Sequence, residues 1–290
     1  MLLLTALIWG TTFVAQSVGA QHIGPFTFNA GRGFFAMLFL LAVAIIRPKD
    51  KSAGDAKSGH DPEKRKNLLK SGIICGVCMF AANVLQQAGL SYTTVGKSGF
   101  ITALYVVMVP TAGIFLKKRI SVKTWICVFL AAGGLYLLCI NENSSINIGD
   151  VLTLLCAAAY TVYILIVDKY AGGTDVIWMA FTQFATLFSL SMICVFVFEP
   201  ISITDLQDAL LSIVYAGILS SGIAYTLQIA AQRNTDPTSA SLIMSLESVF
   251  ALLAGMVFLG QFMTGKEITG CIIMFAAIIL SQLPEINRTK

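Results

Sequence analysis

The stretches Leu85-Gln86-Gln87-Ala88 and Leu227-Gln228-Ile229-Ala230 superimpose when the sequence is slid by 142 positions. The match runs on without a gap through Thr93/Thr235, Ile101/Ile243, Leu104/Leu246, Val107/Val249, Ala112/Ala254 and Gly113/Gly255. Each copy reads as the end of one apolar helix, a short polar turn, and a second apolar helix with a polar residue at its middle. That residue is Tyr105 in the first copy and Glu247 in the second. A repeat made of segments apolar enough to be membrane helices is the sequence mark of a secondary transporter with its site at the repeat interface.

Composition supports that setting. The 290 residues are 57% hydrophobic and only 12% charged, with a mean hydropathy of +0.81, where a soluble domain is roughly 25% charged. Apolar runs of about 20 residues, enough to cross a hydrocarbon core of about 30 Å, recur along the chain. Long unbroken runs exclude a β-barrel, whose strands are short and alternating. The fold class is therefore an all-α membrane protein. The seven cysteines lie in mostly apolar surroundings and read as small hydrophobes, including the Cys75-Gly76-Val77-Cys78 pattern inside an apolar helix.

Ten transmembrane helices are expected, at about 2–19, 26–46, 69–90, 95–116, 122–140, 148–168, 176–198, 209–232, 238–260 and 266–284. The first lacks the positive flank of a signal peptide and is kept as a span. Placing both termini in the cytoplasm puts 16 of the 19 Lys and Arg residues on the inner side, with Lys97 and Lys266 outside and Arg32 within the membrane. That asymmetry obeys the positive-inside rule, so the net charge of +4 is a topology signal and no nucleic-acid partner is expected. The hydrophilic stretch 48–67 reads as a mobile cytoplasmic linker.

Five helices per repeat is an odd number, so the second half (141–290) must lie upside down relative to the first (1–140). A fainter match at a shift of 151 agrees, placing Trp9 on Tyr160, Phe26 on Ile177 and Arg32 on Gln183.

Ile8-Trp9-Gly10-Thr11-Thr12-Phe13-Val14-Ala15-Gln16, then Gly24-Pro25-Phe26-Thr27-Phe28-Asn29 and Arg32, resemble the opening of the EamA-type carriers of the drug/metabolite transporter superfamily. Gly89-Leu90-Ser91-Tyr92-Thr93-Thr94 and Gly99-Phe100-Ile101-Thr102-Ala103-Leu104-Tyr105-Val106-Val107, leading to Pro110, are similar to that family's fourth helix. The resemblance implies ten helices in two inverted five-helix repeats, a central cavity and alternating access, usually serving export of amino acids, other metabolites or drugs. The chain departs from the family pattern at Ser248, where many relatives have proline, and at Gln261, where glutamate is common.

Helical spacing sorts the polar residues by face. Thr5, Trp9, Thr12 and Gln16 form one stripe, Met79, Asn83 and Gln86 a second, Ser98, Thr102 and Tyr105 a third, and Ser221, Tyr225, Gln228 and Gln232 a fourth. The stripes define a polar lumen, against the plainer reading that such groups bond between helices for well under about 2 kcal/mol each. The expected substrate-binding residues are Trp9, Thr12, Arg32, Asn83, Gln86, Tyr105, Tyr160, Tyr225, Gln228 and Glu247. Glu247 at mid-span costs roughly 2.5 to 3.5 kcal/mol on insertion scales. A pairing with Arg32, a cationic substrate, or protonation would offset that cost. Arg32 has its own plain reading as a side chain snorkelling to the outer headgroups.

His22 and His60 have no metal-binding neighbours in sequence, and no metal or cofactor is expected beyond coupling to protons. Gly96-Lys97-Ser98 imitates a phosphate-binding loop, but Ser91 stands where its first glycine is required. An enzyme would need a nucleophile with a base or a metal constellation, and none is seen. The expected function is secondary transport of a small organic metabolite (amino acid, amine or drug-like compound) out across the plasma membrane, by a chain able to enclose the pathway as a monomer. A nucleotide-sugar or other anionic-metabolite carrier is the alternative, with a membrane receptor or enzyme further off.

The orientation is testable with cysteines placed in the 48–67 stretch. They should react with membrane-impermeant thiol reagents only from the cytoplasmic side, and labelling of intact cells from outside would overturn the assignment.

Overall fold

In a computed structural model of the chain, which describes residues 1–47, 62–117, 120–139, 147–172, 174–200, 202–260 and 264–283, every regular element is helical. Eight helices are long and apolar enough to cross a membrane, and two shorter apolar ones, Val122–Leu137 and Ile268–Ser281, complete the expected ten. Large apolar side chains such as Phe115, Leu211 and Ile46 point outward, as a lipid-facing surface requires.

The first half comprises α1 (Leu2–Gly19), α2 (Pro25–Ile46), α3 (Pro62–Leu90), α4 (Val95–Ala103), α5 (Tyr105–Phe115) and α6 (Val122–Cys139). The second comprises α7 (Ile148–Ala171), α8 (Val176–Phe198), α9 (Ile203–Asp208), α10 (Leu210–Tyr215), a π-helical segment (Ala216–Ala224), α11 (Tyr225–Gln232), α12 (Pro237–Met244), α13 (Glu247–Leu259) and α14 (Gly265–Gln282). Starts follow local chemistry. Pro25 and Pro237 sit at first helical positions, where the missing N–H costs nothing. Asn147 and Asp150 form a reciprocal capping box, and Thr94, Asp175 and Asp236 cap α4, α8 and α12.

Two differences from expectation matter. The third span begins at Pro62 rather than 69, because Glu63 and the polar residues behind it extend the helix beyond its apolar part. The remainder of the expected linker, 48–61, lies outside the described residues. The fourth, eighth and ninth spans are also not continuous α-helices. The fourth breaks at Leu104, whose N–H donates to Ile101 O at 3.2 Å. The ninth breaks at Ser245 and Leu246, with Leu246 N–H donating to Ile243 O and Ser248 N–H to Ser245 O, each at 3.3 Å. These i→i+3 bonds tighten the backbone into a 3₁₀-like step. Leu104 and Leu246 are the residues that the 142-position shift superimposes, so Tyr105 and Glu247 each open the half-helix after the break.

The packing pairs one half with the other. α2 lies along α8, α6 along α14, α4 against α13 and α5 against α12. α3 packs on α7 and α8, while α1 packs on the eighth span and on α13. Links between helix ends join neighbouring spans on each side of the bundle. On the side read as cytoplasmic, Arg47 pairs with Asp175, and Arg233 donates to the carbonyls of Ala171 (3.0 Å) and Thr174. Burial alone would raise the Asp175 carboxyl, but the Arg47 pair and the N–H groups of Trp178 and Ile177 outweigh it and hold it below the ordinary carboxylate range. The Arg47 link is therefore complete at neutral pH and loosens only as pH falls through that lowered value. On the opposite side Lys97 pairs with Asp150 at 2.6 Å, and Glu199 accepts from the N–H groups of Phe26 and Thr27 at 2.9 and 2.7 Å.

α1 approaches α13 closely at Gly10, where an added Cβ would lie 2.4 Å from Phe250 Cβ and 2.8 Å from both Ala251 N and Glu247 O. Two of those atoms are backbone, so the helices themselves would have to part. Gly10→Ala should lower stability by about 1 to 3 kcal/mol, read as a fall in melting temperature in detergent. Gly172→Ala, with nothing within 4 Å of the new methyl, should leave it unchanged.

Candidate functional site

A narrow cavity of about 20 Å³ lies among helices of both halves of the chain. Its wall is built by Trp9, Thr12, Phe13 and Gln16 of α1, Arg32 of α2, Gln86 of α3 and Tyr105 of α5. Tyr160 and Ile164 of α7, Ser220 of the π-helical segment, Tyr225 and Gln228 of α11, and Glu247 of α13 complete it. The structure thus brings Trp9, Thr12, Arg32, Gln86, Tyr105, Tyr160, Tyr225, Gln228 and Glu247 to one cavity. Asn83, the remaining predicted residue, stands behind the wall and reaches the cavity through the groups it holds.

Arg32 is 1% exposed and turned into the bundle, not out to the headgroups. Its Nε donates to Ser221 Oγ at 3.0 Å, Nη1 to Asn83 Oδ1 at 2.8 Å and Nη2 to Ser220 Oγ at 3.1 Å. Asn83 Oδ1 also accepts from the Tyr160 hydroxyl at 3.2 Å, and that hydroxyl lies 2.8 Å from the Tyr225 hydroxyl. Hydrogen bonds to a charged group contribute about 1.5 to 3 kcal/mol each. Three of them are of the size needed to offset the roughly 2.5 to 3.5 kcal/mol insertion cost of the guanidinium.

The pairing of Arg32 with Glu247, one of the three arrangements that would offset the acid's charge, is not made: among the described residues, Arg32 bonds only to neutral groups. Glu247 is 3% exposed. It sits in the first turn of α13, where the positive end of the half-helix favours an anion. The phenol of Tyr105, opening the matching half-helix, is its polar neighbour, yet Glu247 Oε1 and Tyr105 Oη both lack a hydrogen-bond partner among the described residues. Trp9 Nε1 and Gln228 Oε1 are likewise buried without partners. Four unpartnered polar atoms therefore belong to residues of one cavity wall, whereas buried polar groups are ordinarily satisfied.

The two glutamines at matching repeat positions are held differently. Gln86 accepts from Gln16 Nε2 at 3.1 Å and donates to Thr102 Oγ1 at 3.3 Å, while Gln87 donates to the Gln16 carbonyl at 3.0 Å, so this group ties α3 to α1 and α4. Among the described residues Gln228 donates only to Gln232, at 3.0 Å, and its side-chain carbonyl has no partner. Aromatic rings form the rest of the wall. The Trp9 and Tyr225 ring centroids are 4.7 Å apart, with Tyr163 and Phe184 edge-on behind Tyr225. Gln183, matched to Arg32 by the fainter shift, does not line the cavity and instead accepts from the Tyr163 hydroxyl at 3.3 Å.

Phe13, Gln16, Ile164 and Ser220 are lining residues outside the predicted set, although Gln16 stands in the polar stripe of α1. Phe13 and Ile164 carry no signal that separates them from other apolar residues in their helices. Ser220 had one: it precedes Ser221, and α-helical spacing puts only one of the two on the lumen face. The π-helical segment changes that spacing, and both serines reach Arg32.

A multi-pass helical membrane protein with a polar cavity at its centre, walled by both halves of the chain, has the architecture of a membrane carrier. The EamA-like transporter family model matches residues 1–140 and again 147–283, and the chain belongs to that family. A transporter of Archaeoglobus fulgidus, described as uncharacterized, is 31% identical over 97% of this chain and 84% of its own length. The threonine/homoserine exporter RhtA of Salmonella typhimurium is 32% identical over 55% of this chain and 54% of its own length. A solved crystal structure superimposes with a TM-score of 0.75 over 97% of this chain and 95% of its own at 16% identity, a likeness of fold.

The unequal bonding of the glutamines separates binding from stability. Gln228→Ala should raise the apparent KM for transported solute with little change in melting temperature. Gln86→Ala should also lower stability, by about 0.6 to 1.7 kcal/mol, because it breaks the link to α1. Equal KM values for both variants and the parent would make these side chains packing groups only.

Proposed function

We propose that the protein is a secondary carrier of the plasma membrane that exports small amine-bearing metabolites, amino acids or amphipathic amines, by alternating access. The observation that carries this reading is Glu247, a buried carboxylate on a cavity wall with an unpartnered oxygen and no ion-pair partner among the described residues. With the Arg32 pairing unmade, a bound cationic group or a proton is left to offset the charge. Those two occupants exchanging at one carboxylate would couple export of the amine to entry of a proton.

Alternating access is supported by the pairing of the two halves and by matched breaks at Leu104 and Leu246, which give the fourth and ninth spans equivalent places to bend. In this reading 1–140 and 141–290 are inverted five-helix repeats, both termini are cytoplasmic, and a single chain suffices. The same family also carries the name of an amino-acid exporter among the relatives of this chain. An anionic-metabolite carrier fits less well, since among the described residues Arg32 is the one cation lining the cavity and an acid faces the same space.

Glu247→Gln tests the reading, because it keeps shape and removes the charge. Counterflow of amines and amino acids in proteoliposomes should fall by about tenfold or more, while melting temperature stays level or rises, as replacing a buried charge with a neutral group often does. Normal counterflow at every pH from this variant would remove Glu247 from the site.

A further inference from the structure

We propose that the cavity is closed at its two ends by gates of different chemistry. Toward the side read as outer the gate is polar and has two tiers, Lys97 with Asp150 at the rim and Gln16 with Gln86 and Gln87 beneath, while toward the cytoplasm it is apolar. This rests on the carrier reading above and adds the contacts that must come apart for the site to face outward.

A cavity of about 20 Å³ has room for about one water molecule, so a metabolite enters only when one end opens. Near the outer ends of α1 and α3, Gln16 Nε2 donates to Gln86 Oε1 at 3.1 Å and to Gln87 Oε1 at 3.2 Å, and Gln87 Nε2 donates back to the Gln16 carbonyl at 3.0 Å. Gln86 extends the link to Thr102 of α4 at 3.3 Å. At the rim, Lys97 in the first turn of α4 pairs with Asp150 in the first turn of α7 at 2.6 Å, and Asp150 also accepts from Thr93 at 3.0 Å. The Asp150 side chain is only 6% exposed, which shields the pair from the screening that weakens surface ion pairs. Because α1, α3 and α7 all wall the cavity, these bonds hold its outer ends together.

The internal repeat shows that the other end is built differently. The 142-position shift places Lys97 on Ser239, Gln87 on Ile229 and Thr102 on Met244, and the fainter shift places Gln16 on Val167. Ser239 carries no charge, and Val167, Ile229 and Met244 are fully buried in one apolar cluster. Gln228, matched to Gln86, donates within its own helix to Gln232. Deleting one polar group at the outer end therefore loosens that end alone.

The test is the rate at which Thr12→Cys, in the full chain freed of native cysteines and oriented in proteoliposomes, is labelled from each face by a membrane-impermeant thiosulfonate. Labelling of Tyr92→Cys, at an exposed turn beside the rim, first establishes which face carries the polar gate. Lys97→Gln and Gln87→Leu each remove one tier without altering a lining residue. Each should raise Thr12→Cys labelling from the Tyr92 face by about fivefold or more, with no rise from the opposite face, since opening one side draws population from the other. Lys97→Arg, which keeps the charge, should label at the parent rate. A rate from the Tyr92 face that stays within about twofold of the parent in every folded variant would overturn the gate. An equal rise at both faces would also overturn it, by making these residues general packing groups. Labelling needs no solute, so failure to move any organic solute would overturn the carrier reading separately.

Discussion

Arg32 brings a permanent positive charge into the buried middle of the bundle, and much of the surrounding architecture follows from satisfying it. Asn83 on α3 and the serines of the eighth span converge on the guanidinium. In a regular α-helix two adjacent serines could not both face one partner. The π-helical segment at Ala216–Ala224 lets them do so, and the Thr5 hydroxyl donates to the Ala224 carbonyl at 3.2 Å where that segment ends. A local departure from α-geometry is thus tied on one side to the charge it serves and on the other to α1. π-Helical insertions are found frequently at functional sites for this kind of reason.

Glu247 presents the opposite case. It is as deeply placed as Arg32 but has no comparable set of partners, and its neighbour Tyr105 is unsatisfied as well. Both residues begin a half-helix immediately after a break, at positions related by the internal repeat. The breaks do two things at once: they place two polar side chains on the cavity wall, and they divide the fourth and ninth spans into two half-helices each. A site whose fixed charges are bonded on one wall and unbonded on the other is prepared for a ligand, whereas a purely structural polar core would be closed on itself.

Much of this was legible in the sequence, for identifiable reasons. Length and hydropathy define the spans because the bilayer permits few alternatives. The gapless match around Gln86 and Gln228 locates the pair Tyr105 and Glu247. Stripes at helical spacing find lining residues wherever the helix is regular, as with Trp9, Thr12 and Gln16 on α1. The same rule fails where the backbone departs from 3.6 residues per turn, which is why Ser220 was missed. The breaks at Leu104 and Leu246 carry no proline or glycine and left no trace in composition. Partner choice was also hidden: Arg32 and Glu247 are the two opposite charges of the membrane interior, and only the three-dimensional arrangement gives Arg32 to Asn83 and the serines.

The central claim is that one cavity at mid-depth is reached alternately from the two sides of the membrane. Thr12 lines that cavity with its hydroxyl bonded to its own helix, at 2.6 Å from Ile8 O, so it can be replaced without dismantling the wall. The most direct measurement is labelling of Thr12→Cys, in a background freed of the native cysteines, by a small membrane-impermeant thiosulfonate applied to each face of oriented vesicles in turn. The account predicts labelling from both faces, slowed from both by transported solute. Labelling confined to one face under every condition would contradict it.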